Sequence, residues 1–182
     1  MRRGSILLAS MCATLALAAS PASAQALGDS LGYLRDNLAG QGQLAETETV
    51  SDSSTGKSWV EHWTMQYSNL RPDLAACSLT FRADFSRDGA SIFGGDLTYA
   101  IGQLTAVQLL TLNQNMDENN AHGGHPTWTT VADPPSLDIR LTFAAGNTGG
   151  FYIRDPSLAP RIAAGIAHAA ELCGASPGHE GF

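Results

Sequence analysis

The spacing of apolar positions changes along the chain, and each change marks an element. Leu27, Leu31, Leu34 and Leu38 recur at steps of four, three and four, a narrow helical stripe that Gly40 stops. From residue 44 the period becomes two. Residues 44–51 are rich in Thr and Val, and Ser53-Ser54-Thr55-Gly56 supplies a turn. Residues 58–68 then set Trp59, Glu61, Trp63, Met65 and Tyr67 against Val60, His62, Thr64 and Gln66, which predicts a hairpin. Residues 69–73, with Pro72, are expected to break it. The next strand carries Cys77, Leu79, Phe81, Ala83 and Phe85 on one face and Ser78, Thr80, Arg82 and Asp84 on the other.

Asp88-Gly89 predicts a turn, 93–101 a fourth strand weakened by Gly94-Gly95, and 105–112 a fifth, although 103–113 also fits a helix. The polar stretch 113–135 is longer than most connections in a compact domain, so it reads as functional, as mobile, or as hiding a short strand near 127–131. Leu137, Ile139, Leu141 and Phe143 alternate again, Gly146-Asn147-Thr148-Gly149-Gly150 turns the chain, and Phe151 and Ile153 lie on a short last strand.

A closing helix is expected over 155–173, with Asp155 as its cap, Pro156 in its first turn and Gly174 as its stop. Leu158, Ile162, Ile166, Ala169 and Cys173 fall within roughly 80° of one another on it, opposite Arg161, His168 and Glu171. The predicted organisation is a leader over 1–24, an N-terminal helix and linker over 25–42, one β-rich domain over 43–174 and a flexible tail over 175–182.

The leader is read from Arg2-Arg3, an apolar stretch over 6–19 and the small-x-small site Ala22-Ser23-Ala24, which together describe a secretory signal peptide cut before Gln25. No later segment is long and apolar enough to span a membrane, so localisation is expected to be exported, periplasmic or extracellular. Removing 1–24 takes two of the ten basic residues and none of the 17 acidic ones, leaving 8 against 17 and a net charge of −9. Lys57 is the only lysine and the arginines are dispersed, which argues against nucleic acid as a partner. The partner is left as an unknown protein or small ligand.

Of three cysteines, Cys12 leaves with the leader, and Cys77 and Cys173 remain in a compartment where disulfides persist. They are expected to pair, the alternative being two buried thiols. Both periodicities aim the two sulfurs at the core, as a tether between sheet and closing helix requires. In the chain-entropy picture such a link stabilises by roughly 4 to 5 kcal/mol.

The predicted fold class is α+β: a mostly antiparallel β sandwich or partly open barrel of about seven strands, closed by a C-terminal helix, with an extra helix at the N-terminus. Over 44–174 this order resembles the pleckstrin-homology-like superfold. Ala76-Cys77-Ser78-Leu79 and Ala167-His168-Ala169-Ala170-Glu171-Leu172-Cys173-Gly174 are similar to the corresponding stretches of small exported bacterial proteins of that shape. Phosphoinositide-binding members use basic residues around the first hairpin loop. Here that loop, 51–57, holds one lysine and Asp52, so lipid recognition is not expected, and the scaffold alone assigns no function.

Two constellations are candidates for chemistry. Glu118, His122 and His125, near Asp117, have a Glu-x3-His-x2-His spacing that could surround zinc or a similar metal, although Gly123-Gly124 gives the imidazoles no rigid support. Trp59, Trp63 and Trp128 could line an apolar groove for a ligand, or belong to the core. Glu61, on the same face, is expected near the strand's exposed end, the alternative being a buried carboxylate with a raised pKa. No Gly-x-Ser-x-Gly, His-Glu-x-x-His or phosphate-loop motif occurs, and no catalytic residue is assigned. The expectation is an exported, non-enzymatic binding or envelope-associated module with no cofactor; the alternative is a metal-binding protein or metal-dependent enzyme built on 113–135.

Overall fold

The computed structural model describes residues 21–121, 125–133 and 135–180. Most of the expected leader, and His122, lie outside these residues. The chain is an N-terminal helix α1 (Pro21–Gly40), strands β1 (Gln43–Asp52), β2 (Lys57–Asp73), β3 (Ser78–Arg87) and β4 (Ala90–Ala100), a 3₁₀ turn (Ile101–Gln103), β5 (Leu104–Thr111), α2 (Leu112–Ala121), β6 (Trp128–Asp133), β7 (Leu137–Phe143), β8 (Thr148–Ile153), α3 (Ala159–Leu172) and β9 (Gly178–Glu180). The strands form two sheets, one in the order β4-β3-β2-β1-β6 and the other β8-β7-β5-β9. They pack on each other without closing into a barrel. The fold is thus α+β, with the two-sheet-and-helix architecture of pleckstrin-homology-like proteins. Among the described residues it has nine strands where about seven were expected, the additions being β6, at the short strand foreseen near 127–131, and β9.

The leucine stripe of α1 is buried in the domain's own core, against α3 and β2. It therefore offers no free apolar face for self-association. No helix among the described residues is long and apolar enough to cross a membrane.

Several local departures have simple causes. β2 continues through 69–73 because Asn69 takes a left-handed conformation (φ 53°) at a register shift. Pro72 is tolerated because β1 stops pairing at Gln66, so beyond that point β2 has a ladder partner on one side, β3, and the missing N–H is not needed. Cys77 lies in the tight turn before β3, at φ 48°, rather than on the strand's apolar face. It is nevertheless bonded to Cys173, with Cα atoms 5.9 Å apart, across 96 positions. Such a bond is consistent with an extracytoplasmic environment.

Helix α3 begins at Ala159, four residues later than expected. The Asp155 carboxylate accepts from the Ser157 N–H and Oγ at 2.8 and 2.7 Å, closing a turn of its own ahead of the helix. At the other end Gly174 is left-handed (φ 84°), its N–H donates to Glu171 and that of Ala175 to Ala170, the double bond that ends a helix on glycine. The chain beyond this cap, read from sequence as a tail, carries β9, which pairs in parallel with 106–108 of β5.

The polar 113–135 stretch resolves into α2, packed against β5, β6 and β7, and the edge strand β6. With α2 on one side and α3 on the other, β7 and β8 divide the interior. Ile139, Leu141, Phe151 and Ile153 are fully buried with Ile162 and Ile166 of α3 in an apolar core. Phe151 meets Phe81, Tyr99 and Tyr67 of the first sheet at ring distances of 5.1 to 5.4 Å. The opposite face of the same two strands presents Asp138, Arg140 and Tyr152, and lines a cleft.

Candidate functional site

The cleft arises because β8 is an edge strand that meets the first sheet through its backbone. Among the described residues no strand pairs with its outward N–H groups, and two tyrosine hydroxyls take that place. Tyr67 Oη accepts from the Tyr152 N–H at 3.0 Å; Tyr99 Oη accepts from the Gly150 N–H at 3.0 Å and donates to its carbonyl at 3.3 Å. Glycine is required for this approach. A Cβ at Gly149 would stand 2.7 Å from the Tyr99 ring, and one at Gly150 would stand 2.6 Å from the Ile139 carbonyl oxygen. The sheets are held apart beside this seam, leaving a cavity of about 230 Å³ roofed by Asn115 and Asn119 of α2 and walled by Tyr67, Phe85, Tyr99 and Tyr152.

Asp138 is the polar centre of this cavity. It is 4% exposed, and no hydrogen-bond donor among the described residues reaches its carboxylate. Burial pushes its carboxyl up to about 7; Arg140 opposes that rise and Glu46 adds to it. Arg140, two residues on, is committed elsewhere: its Nη1 donates to Glu118 of α2 and lies 3.4 Å from the Asn115 amide oxygen. Tyr152, half-buried and close to Asp138, Glu48 and Glu46, has its hydroxyl pKa raised, by desolvation first and then by those three acids.

Behind Tyr152 lies a second acidic group. Leu44, Glu46, Glu48 and Val50 alternate on the buried face of β1, so two glutamates stand in phase with two apolar residues. They are 7% and 5% exposed. Ser136 Oγ donates to Glu46 at 2.8 Å. Glu48 keeps its proton up to about pH 8, through burial first and then through the neighbouring Glu46, to which it is hydrogen-bonded, and Glu61. Glu61 is the cross-strand partner of Glu48.

The expectation that Glu61 sits at the strand's exposed end does not hold, because its side chain is 14% exposed. Its oxygens accept from the indole N–H of Trp59 at 2.8 Å and of Trp63 at 3.2 Å. Arg87 lies 3.6 Å away and covers the Trp63 ring at 5.7 Å. Trp128 meets Trp59 edge-on at 4.9 Å. The structure thus brings Trp59, Glu61, Trp63 and Trp128 into one cluster, but the indoles are spent on Glu61 and on each other. The candidate metal residues are placed differently. Glu118 is paired with Arg140, and His125 stacks flat on Trp128 at 3.7 Å. Among the described residues no three His, Cys, Asp or Glu side chains converge as metal ligands.

Glu46, Glu48, Asp138, Arg140 and Tyr152 were not legible as site residues. An in-phase Leu-x-Glu-x-Glu-x-Val strand is the signal that could have found the first two, since it puts carboxylates where the pattern demands apolar side chains. Asp138 had no such signal: it lies on the polar side of a regular strand, and only α2 makes that side an interior. No family model, curated protein or solved structure matches the chain.

Proposed function

We propose that the chain is an exported binding module that takes a compact ligand into the cleft between its two sheets. One observation carries this reading: a buried carboxylate, Asp138, faces an open aromatic-walled cavity, and no donor among the described residues meets it. Leaving such a group unmet costs about 1–3 kcal/mol or more, so a fold under selection for stability alone would fill the position with an apolar residue. The leader pattern and the Cys77–Cys173 bond support an extracytoplasmic site of action, in keeping with the likeness to small exported bacterial proteins. A cavity of about 230 Å³ lies below the ~300–1,000 Å³ of sites for drug-sized ligands, so the occupant is small.

The test is native mass spectrometry of protein isolated from its own exported fraction, beside a Thr148→Trp variant. Thr148 is exposed at the rim of the cleft, and an indole there blocks entry. The expected result is a chain beginning at Gln25 with a co-purifying small molecule that the variant lacks. A leader still attached would refute export. A chain that carries nothing, and whose Gly149, Gly150 and Tyr152 amide resonances ignore a set of compact aromatic fragments, would refute the cleft as a binding site.

A further inference from the structure

The charge and surface chemistry of the cleft narrow its ligand to one class. Three features converge. Asp138 is an unmet acceptor, more than nine-tenths buried and aimed into the cavity. The walls are rings of Tyr67, Phe85, Tyr99 and Tyr152, whose faces are electrostatically negative and attract cations. Arg140 is the one cation among the residues lining the cavity, and it is already held by Glu118 and Asn115. What is left unbalanced is the negative charge of Asp138, to which Glu46 adds from behind Tyr152.

An anionic ligand would have to approach Asp138 with no free cation to compensate. A neutral ligand would leave the carboxylate's charge unanswered in a poorly solvated site. A cation with an apolar body answers both demands, since its charge meets the carboxylate while its hydrocarbon part lies against the rings.

We propose that the cleft binds a compact organic ammonium ion, its charged nitrogen at Asp138 and its apolar body between the rings of Tyr99, Phe85 and Tyr152. This rests on the cleft being the ligand site, and deepens that reading by naming the ligand's chemistry. Arrival of the ammonium offsets the desolvation that Asp138 suffers in the empty cleft, and the narrow cavity restricts the choice to molecules of roughly one ring.

The test uses mature, disulfide-intact protein and three probes of one shape and different charge: 2-phenylethylammonium, 2-phenylethanol and 3-phenylpropanoate. Binding is followed by calorimetry and by the amide resonances of Gly149, Gly150 and Tyr152. The ammonium is expected to bind about tenfold or more tighter than the alcohol, with the carboxylate weakest. Asp138→Asn is expected to abolish the preference for the ammonium while leaving the alcohol's affinity within about twofold, and Thr148→Trp to weaken all three. Near-ultraviolet circular dichroism of both variants verifies that they are folded. If the alcohol or the carboxylate binds as tightly as the ammonium, or if Asp138→Asn keeps the preference, the ammonium proposal fails while the cleft stands as a binding site. If none of the three probes moves those amides at millimolar concentration, both readings fail.

Discussion

The two faces of β7 have the same spacing and opposite physics. Ile139 and Leu141 point into a region closed by α3, where every side chain is apolar and the aromatic rings of both sheets interlock. Asp138 and Arg140 point the other way, into a region closed by α2, where charged and amide side chains share a cavity with aromatic rings. Both faces are interior. The first is built for stability and the second at its expense, because carboxylates removed from water are stable only when something answers their charge. That contrast locates the site without any catalytic motif: in a domain able to bury apolar surface well, a buried carboxylate that no donor among the described residues meets serves a purpose other than folding.

The contrast can be broken most forcefully from the apolar side. Phe81→Ala removes a fully buried ring that packs on Tyr67, Tyr99 and Phe151, and should cost about 3–5 kcal/mol in denaturant unfolding. A smaller loss would mean that the core collapses to fill the hole. Next in size is the tether: a Cys77→Ala/Cys173→Ala double variant should lose about 3 kcal/mol, below the chain-entropy figure, as measured disulfide contributions commonly are. The loss should appear as a lower denaturation midpoint.

On the polar side the sign reverses. The folded-state carboxyls of Asp138 and Glu48 are raised to about 7 and about 8, above their ordinary values of 3.8 and 4.5. Between those limits the native state binds more protons than the unfolded chain, so stability falls as pH rises from about 4 to about 8. Below that window both states are protonated and the groups contribute nothing. Asp138→Asn should therefore stabilise the empty protein at pH 8 by about 2 kcal/mol, roughly half of what the full displacement implies, because the amide is still an unmet polar group. The gain should vanish near pH 4, and thermal unfolding across pH measures both. A variant no more stable than the parent at pH 8 would show that Asp138 is answered by a group other than a ligand.

The smallest effect is expected at Glu61, where the charge is already met. Glu61→Gln keeps an acceptor for one indole and weakens the other contacts, at a cost of about 1 kcal/mol. A shift in tryptophan emission should accompany it, and an unchanged spectrum would mean that the indoles do not depend on the carboxylate.

How far this arrangement could be read in advance differs by residue. Leu79, Phe81, Ala83 and Phe85 alternate without interruption, and their strand lies where the pattern placed it. Cys77, one residue earlier, continues the same alternation yet sits in a turn, because the chain must reverse from β2 and a left-handed residue does so there. Pro72 looked like a break and is part of a strand, since a local pattern does not say which neighbours a strand will have. The acids are the extreme case: Glu46 and Glu48 disturbed their pattern, whereas Asp138 did not.

By itself the sequence determined the local periods, the helix stripes, the glycine stop at 174 and the means of joining sheet to helix through Cys77 and Cys173. These depend on residues close together in the chain or on a count of two. Only the tertiary structure decided which polar faces are buried. A period shows which side of a strand is apolar, but whether the other side meets water depends on what packs over it, here a short helix from a segment with no apolar period of its own. Asp138 became the centre of a site through that packing, and its chemistry follows from being buried at the wall of an open cavity with no donor among the described residues.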